Sequence, residues 1–473
     1  MRSVLSLLLL SSLAGCVCQD PPKVPADPAE RVGRKRHSAT DPQLVLFVVM
    51  DTVRADHTSL CGYERATTPA LEGMVRSGAT YTCHAYAPAP WTLPSHASYF
   101  TGKSVTEHAT MFVSNSDVSI NATITARPLA DSFETLAEHF KAKGYQTVAI
   151  SANSILNEAS GLLQGFDARD VSTNGLTLRG RGLGQSLSTQ LAAIDPERPL
   201  FLFVNIYDAH DPYPAIPPDA GFVPAQTRTK LDAYTKDPKN PYFSFIKGLM
   251  PEADKPEFLR KITDGYDYGV RHADANLSVV LTTLLQSGWM ESPYRVVVAS
   301  DHGEFLGEHD LLRHCGFVWE PVVEVPIVWF ESLRRNREKL PDTMSAVDVY
   351  TIVRDGKLPA NPLPPHTVSE KNPDDIMVGT IAGAVWSADR QTKGVCIEGS
   401  QGAYLLGADP GEANIVAMPE GVVKTELDKL CKDIDALHKL PVPKVDPSLT
   451  AALQNMGYAD PDDNAPAEPL PGQ

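Results

Sequence analysis

Two apolar runs that end near acidic residues are the clearest pattern along this chain. The first spans 44–50 and is followed directly by Asp51, and the second spans 296–299 and leads through one serine to Asp301. Such unbroken aliphatic runs predict strands that are buried on both faces of a parallel sheet. Because ligands of open α/β sheets bind at the carboxyl ends of the strands, we expect both aspartates to face a ligand site.

Other segments alternate between strand and helix. The apolar spacing predicts strands at 147–151 and 200–206, and helices at 132–142 and 267–286. Residues 214–260 are rich in proline, aspartate and lysine, and we expect them to form an insertion over the site that sets selectivity. The alternation predicts an α/β fold with a large, mostly parallel mixed sheet sandwiched by helices.

The carboxy-terminal part of the sequence predicts shorter strands than the part before it. Short strands are predicted at 394–397 and 403–406, and a helix at 422–437, so we expect a smaller antiparallel-sheet α+β subdomain. The expected organisation is a signal peptide at 1–15, a tether at 16–43, a catalytic domain at 44–370, the small subdomain at 371–460 and a disordered tail at 461–473.

The amino-terminal sequence predicts where in the cell the protein is found. The apolar stretch at 4–10 and the sequence at 13–16, which ends in Cys16, resemble a bacterial lipoprotein signal in which that cysteine is lipidated. A signal peptide with a chance cysteine is the alternative. No later stretch of the sequence reaches the ~18 apolar residues of a membrane-spanning helix. We expect an exported protein that is lipid-anchored to a bacterial membrane and faces the periplasm or the cell exterior.

Length, hydrophobic content and net charge limit the domain organisation and the partners that we expect. The chain has 473 residues, of which 42% are hydrophobic, enough for one large domain with an appendage. Its net charge is −16 and no long basic run offsets it, so we expect no nucleic-acid partner. An exported protein can form disulfides. The pairs to test are Cys61 with Cys83 and Cys396 with Cys431, although the sequence does not fix the pairing.

Thr92 gives the two aspartates a chemical role. It begins a helix-like segment that ends near Gly102, and the amino terminus of a helix favours a bound anion. A simple N-cap role is the alternative for this threonine. The expected metal ligands are Asp51, Thr92, Asp301 and His302. A divalent cation there would lower the pKa of the hydroxyl, and this ligand set suits Zn²⁺ or Mn²⁺ more than Mg²⁺.

Six motifs occur in a fixed order along the chain. They are the segments 51–57, 67–71, 92–96, 208–213, 301–304 and 314–326. Together they resemble the sulfatases of the alkaline-phosphatase superfamily over about residues 44–460. The resemblance implies an alkaline-phosphatase-like fold and an ester hydrolase that holds one divalent ion, for which Ca²⁺ also stays open.

The histidines of these motifs have catalytic roles in this interpretation. His96, His210 and His314 would donate to the non-bridging oxygens of an ester, and His210 or His314 would protonate the leaving group. Asp208 would either orient His210 or belong to a second metal site. Because Asp208 and His210 are closer in sequence than the corresponding pair in two-metal relatives, we expect one ion.

Where the sequence departs from the sulfatase pattern, it favours a phosphate ester over a sulfate ester as the substrate. Thr92 stands where sulfatases have the cysteine that becomes formylglycine, and His96 stands where they have an arginine. Thr52 replaces a second aspartate, and residues 148–154 lack the Lys-Trp-His segment. An unmodified hydroxyl beside a metal is typical of the phosphatase, phosphodiesterase and phosphoethanolamine-transferase branches. We therefore expect cleavage of phosphate mono- or diesters through a Thr92 alkoxide and a phosphothreonine intermediate.

Three other functions stay open. They are a sulfuric ester hydrolase, a phosphoethanolamine-type transferase and an anion-binding pseudoenzyme. Such transferases usually carry amino-terminal membrane helices, which this sequence does not show, and a pseudoenzyme would tolerate loss of Asp51, Asp301 and His302, which are all present. The expected partners are a small-molecule, glycan or lipid ester as substrate, and the membrane through the lipid anchor.

Overall fold

The described part of the chain excludes both termini. The computed structural model describes residues 41–112, 126–172, 178, 181–217, 221, 223, 239–333, 338–369, 382–397, 400–437, 439–441 and 446–455. The expected signal peptide, Cys16, most of the tether and the tail at 461–473 lie outside these residues. Within the described part, no helix has both the length and the apolar character that crossing a bilayer requires.

The strands and helices follow the expected alternation. The described strands are β1 (Leu44–Met50), β2 (Thr80–Tyr86), β3 (Met111–Phe112), β4 (Ala126–Arg127), β5 (Gln146–Ser151), β6 (Ala168–Val171), β7 (Leu200–Ile206), β8 (Tyr294–Ala299), β9 (Phe305–Leu306), β10 (Leu312–Arg313), β11 (Glu324–Glu331), β12 (Met344–Ser345), β13 (His366–Ser369), β14 (Ala382–Trp386), β15 (Thr392–Ile397) and β16 (Ser400–Leu405). The described helices are α1 (Pro69–Arg76), α2 (Thr92–Thr101), α3 (Val105–His108), α4 (Leu136–Ala142), α5 (Arg181–Ala193), α6 (Pro241–Ile246), α7 (Lys255–Gln286), α8 (Glu320–Val323), α9 (Val349–Asp355), α10 (Val422–Leu437) and α11 (Pro447–Asn455).

The main sheet has eight strands in the order β12-β2-β11-β8-β1-β7-β5-β6. Its neighbours pair in parallel except around β11, which runs antiparallel to both β8 and β2. Strand β1 lies between β7 and β8, where Val48 pairs with Val204 and with Val298, and every residue of β1 is buried. The predicted large, mostly parallel mixed sheet is confirmed.

Helices pack on this sheet in two groups. Helix α7 contacts α1, α5 and β7, whereas α9 contacts α2, α4 and β8. Helix α2 ends at Gly102, which has a φ of 67° and lies so close to Tyr350 of α9 that a Cβ there would be 2.4 Å from the ring. The end of α2 is therefore fixed both by backbone conformation and by packing.

A second, antiparallel sheet has the order β13-β14-β15-β16, and α10 packs on β14 and β15. Its first strand begins at His366, before the expected boundary near residue 370. The ring of Trp386 stacks on Tyr86 of the main sheet at 3.9 Å. Buried Lys393 binds Glu320 of α8 and Glu412, so packing and charge join the small sheet to the helix before β11.

Two helices differ from the prediction in where they begin. Helix α7 starts at Lys255 instead of 267, because Pro256 occupies the first turn and Phe258 and Ile262 continue the buried face. Helix α4 starts at Leu136 instead of 132, because Thr135 caps it through a capping box with Glu138.

Both cysteine pairs proposed from the sequence are disulfides. Cys61 is bonded to Cys83 with a sulfur–sulfur distance of 2.03 Å. Cys396 of β15 is bonded to Cys431 of α10. The second bond links the small sheet to the helix that covers it.

Candidate functional site

The two predicted strand-end aspartates meet the start of α2. Asp51 follows β1, Asp301 follows β8 after one residue, and Thr92 is the first residue of α2. Asp51, Asp301 and His302 each offer a ligand atom, and these atoms lie within 4.8 Å of one another. All four side chains are fully buried. The fold therefore gathers the expected metal ligands at the carboxyl edge of the sheet.

The unpaired atoms of this cluster suit a cation. His302 donates its Nδ1 hydrogen to the carbonyl oxygen of Gly303 at 2.9 Å, which leaves a lone pair on Nε2. That Nε2 atom lies 3.5 Å from Oδ2 of Asp301 and 3.8 Å from Oδ1 of Asp51. These two oxygens are buried and have no hydrogen-bond partner among the residues that the structure describes. Two carboxylate oxygens that face the imidazole nitrogen of His302 fit a divalent ion such as Zn²⁺ or Mn²⁺.

Charge in the cluster is unbalanced without such an ion. Burial, and then the neighbouring Asp301, raise the pKa of Asp51 to about 7. Burial also raises the pKa of Asp301 to about 7 and lowers the pKa of His302. These shifts arise because a buried charge without a partner is costly, and a bound divalent cation would supply the missing positive charge.

The hydroxyl of Thr92 points to this cluster. Its Oγ1 atom accepts a hydrogen bond from Nδ2 of Asn153 at 3.1 Å and lies 3.4 Å from Nε2 of His302. The N-cap position of α2 is Trp91, and no side chain caps the helix there. The alternative N-cap role for Thr92 is therefore wrong, because its hydroxyl is directed at the site instead of at its own helix.

Two asparagines in the site were missed by the sequence interpretation. Asn153 follows β5 and donates to Oδ2 of Asp51 at 2.9 Å as well as to Thr92. Asn205 lies in β7 and donates to the same oxygen of Asp51 at 2.9 Å. A signal for Asn205 was present, because a polar side chain inside the apolar run 200–206 needs a buried partner.

His96 lies beneath the site. Its Nδ1 donates to the carbonyl oxygen of Thr92 at 3.0 Å and lies 3.5 Å from Oδ2 of Asp301. Edge-to-face contacts with Phe100 and Phe203 surround the ring, and burial lowers its pKa to about 3. The ring is thus neutral and packed against the start of α2, a geometry that positions Thr92 and Asp301.

His210 and His314 lie close together beside His302. The His314 ring is centred 4.3 Å from that of His302 and 4.9 Å from that of His210. Nδ1 of His314 lies 2.9 Å from Oε1 of Glu304, which holds the ring orientation. Burial and the two neighbouring histidines keep the pKa of His314 well below its ordinary value. Nδ1 of His210 lies 2.6 Å from the Tyr207 hydroxyl, so both rings are held in place.

Asp208 faces away from this group. Its carboxylate is bonded to Nδ1 of His272 at 2.8 Å and to Nδ2 of Asn276 at 2.7 Å, both on α7. The idea that it orients His210 is therefore wrong. Among the described residues, Asp51, Asp301 and His302 are the group suited to hold a metal, and the number of ions stays a prediction.

A family profile covers the catalytic part of the chain. The profile of the family described as Sulfatase matches residues 43–353, which include every side chain of the site. The chain belongs to the sulfatase family. Members of this family, within the alkaline-phosphatase-like superfamily, are ester hydrolases that generally use a divalent metal, so the protein is a hydrolase at this general level.

Solved structures share the fold of this sulfatase-family protein. BT4656, in complex with its substrate D-glucosamine-2-N,6-O-disulfate, has 17% identity and a TM-score of 0.56, with 88% of this chain and 99% of that chain covered. BT1596, a 2-O glycosaminoglycan sulfatase, has 14% identity and a TM-score of 0.58, with 87% and 96% covered. Phosphonate monoester hydrolase of Agrobacterium radiobacter has 16% identity and a TM-score of 0.57, with 84% and 96% covered. No curated protein matches the sequence significantly.

Proposed function

We propose that this sulfatase-family protein hydrolyses phosphate mono- or diesters and that unmodified Thr92 is its nucleophile. One observation carries the proposal. The Thr92 hydroxyl is buried at the start of α2, 3.1 Å from Asn153 and 3.4 Å from His302. Beside it lie two carboxylate oxygens that have no hydrogen-bond partner in the described part of the chain. A hydroxyl in this position, instead of a cysteine that can become formylglycine, suits transfer to phosphorus.

Each side chain of the site has a proposed task. Asp51, Asp301, His302 and Thr92 would hold one divalent ion, zinc or manganese before calcium. When bound, the ion supplies Lewis-acid polarisation and lowers the pKa of a hydroxyl at this place. Asn153 orients the Thr92 oxygen, and the backbone N–H groups in the first turn of α2 attract the anionic ester. His210 and His314 would donate hydrogen bonds to the non-bridging oxygens, and one of them would protonate the leaving group.

The proposed reaction has two steps. The Thr92 oxygen loses its proton and bonds to phosphorus, the bond from phosphorus to the leaving oxygen breaks, and that oxygen takes up a proton. Water then attacks phosphorus, the bond to Thr92 breaks, and the hydroxyl is restored. A sulfate ester on threonine has no hemiacetal through which to break down, so sulfate turnover would stall. The fold is compatible with this choice, since the phosphonate monoester hydrolase shares it.

The proposal includes a location. The lipoprotein-like sequence that ends at Cys16 would anchor the exported protein to a bacterial membrane. The two disulfides suit an oxidising compartment such as the periplasm or the cell exterior.

The test compares ester classes and traps the intermediate. Purified protein reconstituted with zinc or manganese is assayed on aryl phosphate, phosphodiester, phosphonate and sulfate esters. We expect the phosphorus esters to be cleaved and the sulfate ester to be cleaved slowly. After an acid quench, mass spectrometry should find phosphate on the peptide that contains Thr92. If sulfate is the best substrate and this peptide carries no phosphate, the protein is a sulfuric ester hydrolase instead.

A further inference from the structure

The segment that follows β1, residues 51–54, has an unusual backbone conformation. Thr52 in this segment has a φ of 60° and is fully buried. A β-branched residue rarely adopts this left-handed region, because its Cβ is crowded there. Such a conformation persists only where surrounding contacts hold it. Because Asp51 begins the same segment, the contacts that hold Thr52 also bear on a candidate metal ligand.

Two contacts join this segment to the loop after β8. The backbone N–H of Thr52 donates to Oδ1 of Asp301 at 3.2 Å, and the N–H of His302 donates to the same oxygen at 3.1 Å. Oγ of Ser300 accepts from the N–H of Val53 and donates to the carbonyl oxygen of His302, at 2.9 Å in each case. The position of Thr52 therefore helps to fix the Asp301 carboxylate, whose other oxygen faces Nε2 of His302 at 3.5 Å.

Tyr266 of α7 holds the segment from its other side. The Tyr266 hydroxyl donates to the carbonyl oxygen of Thr52 at 2.7 Å and accepts from the backbone N–H of Arg54 at 2.8 Å. The side chain is fully buried, and its ring packs edge-to-face against His57 with the ring centres 5.3 Å apart. Because both backbone groups are buried, loss of this hydroxyl would leave a donor and an acceptor without a partner. One hydroxyl group thus holds both sides of the strained residue.

We propose that Tyr266 is a positioning residue for the metal site, whose hydroxyl keeps residues 51–54 in the conformation in which Asp51, Asp301 and His302 face one another. The inference rests on the metal ligands of the proposed function, but not on the ester that is cleaved. Tyr266 acts through the backbone of Thr52 and Arg54. Its loss should therefore weaken metal binding, as the loss of groups that orient metal ligands generally does.

Zinc affinity is compared in Tyr266→Phe and Tyr145→Phe, which keep the ring and lose only the hydroxyl. Tyr145 is the matched control, since its buried hydroxyl donates to the carbonyl oxygen of Pro42 at 2.6 Å, near the opposite end of β1. The zinc Kd is measured by competition with a chromogenic chelator. We expect it to rise at least about tenfold in Tyr266→Phe and to stay close to the wild-type value in Tyr145→Phe. An unchanged Kd in Tyr266→Phe, or an equal rise in both variants, overturns the inference.

Thr52→Gly tests whether Tyr266 acts through this backbone. Glycine adopts a positive φ without crowding by a Cβ, so it needs less support. The zinc Kd of Thr52→Gly should stay close to the wild-type value, and Tyr266→Phe should raise the Kd less in this background than in the wild type. An undiminished rise overturns the inference. If Tyr266→Phe does not fold, Thr52→Gly alone decides, because weaker zinc binding in it would mean that the threonine side chain positions the ligands.

The wild-type protein separates this inference from the proposed function. If it binds no zinc, the proposed metal site fails and the inference fails with it. If it binds zinc and Tyr266→Phe binds zinc equally tightly, the inference alone fails. If it binds zinc but cleaves no phosphorus ester, the proposed reaction fails, and the zinc affinities of the variants still decide the role of Tyr266.

Discussion

The side-chain amide of Asn153 lies 3.1 Å from the hydroxyl oxygen of Thr92 and ties the orientation of that residue to the metal cluster. The same nitrogen lies 2.9 Å from Oδ2 of Asp51. A hydrogen bond to the threonine oxygen stabilises negative charge as it develops there. Asn153 is therefore placed to act on the nucleophile and on a metal ligand at once.

Replacing Asn153 should lower the catalytic rate without lowering the metal content. We expect Asn153→Ala to lower kcat by about ten- to a hundredfold, because the Thr92 oxygen loses its neutral donor. Zinc content, measured by elemental analysis, should remain close to that of the wild type. Asn205→Ala is the matched control, since Asn205 donates to the same oxygen of Asp51 at 2.9 Å but not to Thr92. Equal losses of kcat in both variants would contradict a specific role for Asn153.

The sequence predicted the strands, the helices and the metal ligands of the site better than the contacts between its side chains. Strand β7 and helix α10 have the predicted bounds, because continuous apolar runs and helical spacing are strong local signals. Asp51 and Asp301 were found because strand ends of parallel sheets share one edge, and the structure brings Thr92 and His302 to them. Local pattern and sheet topology were sufficient for these four residues.

Contacts between distant segments were not predictable in the same way. The amide of Asn153 reaches Thr92 and Asp51 only because β5 and β1 flank β7 in the sheet, and one sequence does not reveal that order. Asp208 precedes His210 closely, yet it faces α7, whose packing direction no local pattern encodes. His96 lies in the same helix as Thr92 but points inward, since the rings of Phe100 and Phe203 pack against it.

Metal binding should stabilise the protein more at neutral than at acidic pH. Burial raises the pKa of Asp51 and of Asp301 from 3.8 to about 7. Between about pH 4 and pH 7, the metal-free folded state holds protons that the unfolded state has lost. Its free energy of unfolding therefore falls as the pH rises through this window. Zinc replaces these protons, so its affinity rises with pH.

Calorimetric melting with and without zinc measures this effect. The increase in Tm on adding zinc should be larger at about pH 7.5 than at about pH 5, since fewer protons must be displaced. Asp301→Asn is the control, because it removes one of the two carboxylates that the ion needs, and its Tm should respond little to zinc. A zinc effect of the same size at both pH values would argue against a site built from these aspartates.

Lys393 should be essential to the junction between the two sheets. It is fully buried and binds Glu412 at 2.5 Å and Glu320 at 3.3 Å. Lys393→Met would leave buried Glu412 and partly buried Glu320 without their cation, so we expect a loss of about 3–5 kcal/mol in the free energy of unfolding. Urea denaturation measures it. Lys424→Met, which removes an exposed pair with Asp428, should change the stability little, and an equal loss there would refute the role of the junction.

The lipid anchor is tested with two neighbouring cysteines. Cys16→Ser should release the protein from the membrane fraction into the soluble fraction, because the thiol at this position is the lipid acceptor of such a signal. Cys18→Ser should stay with the membrane fraction. Fractionation followed by immunoblotting distinguishes the two variants. If Cys16→Ser remains at the membrane, the anchor assignment is wrong.

Substitutions at Thr92 test the nucleophile most directly. Thr92→Ala should lower kcat/KM on the best phosphorus ester by about a thousandfold or more, because only binding and electrostatic stabilisation remain. Thr92→Ser keeps the hydroxyl and should retain much of the activity, which separates chemistry from loss of folding. Thr92→Cys, produced with a formylglycine-generating enzyme, should gain activity on aryl sulfate if the surrounding sequence is accepted. Full activity of Thr92→Ala, with the wild-type zinc content, would mean that another group attacks the ester.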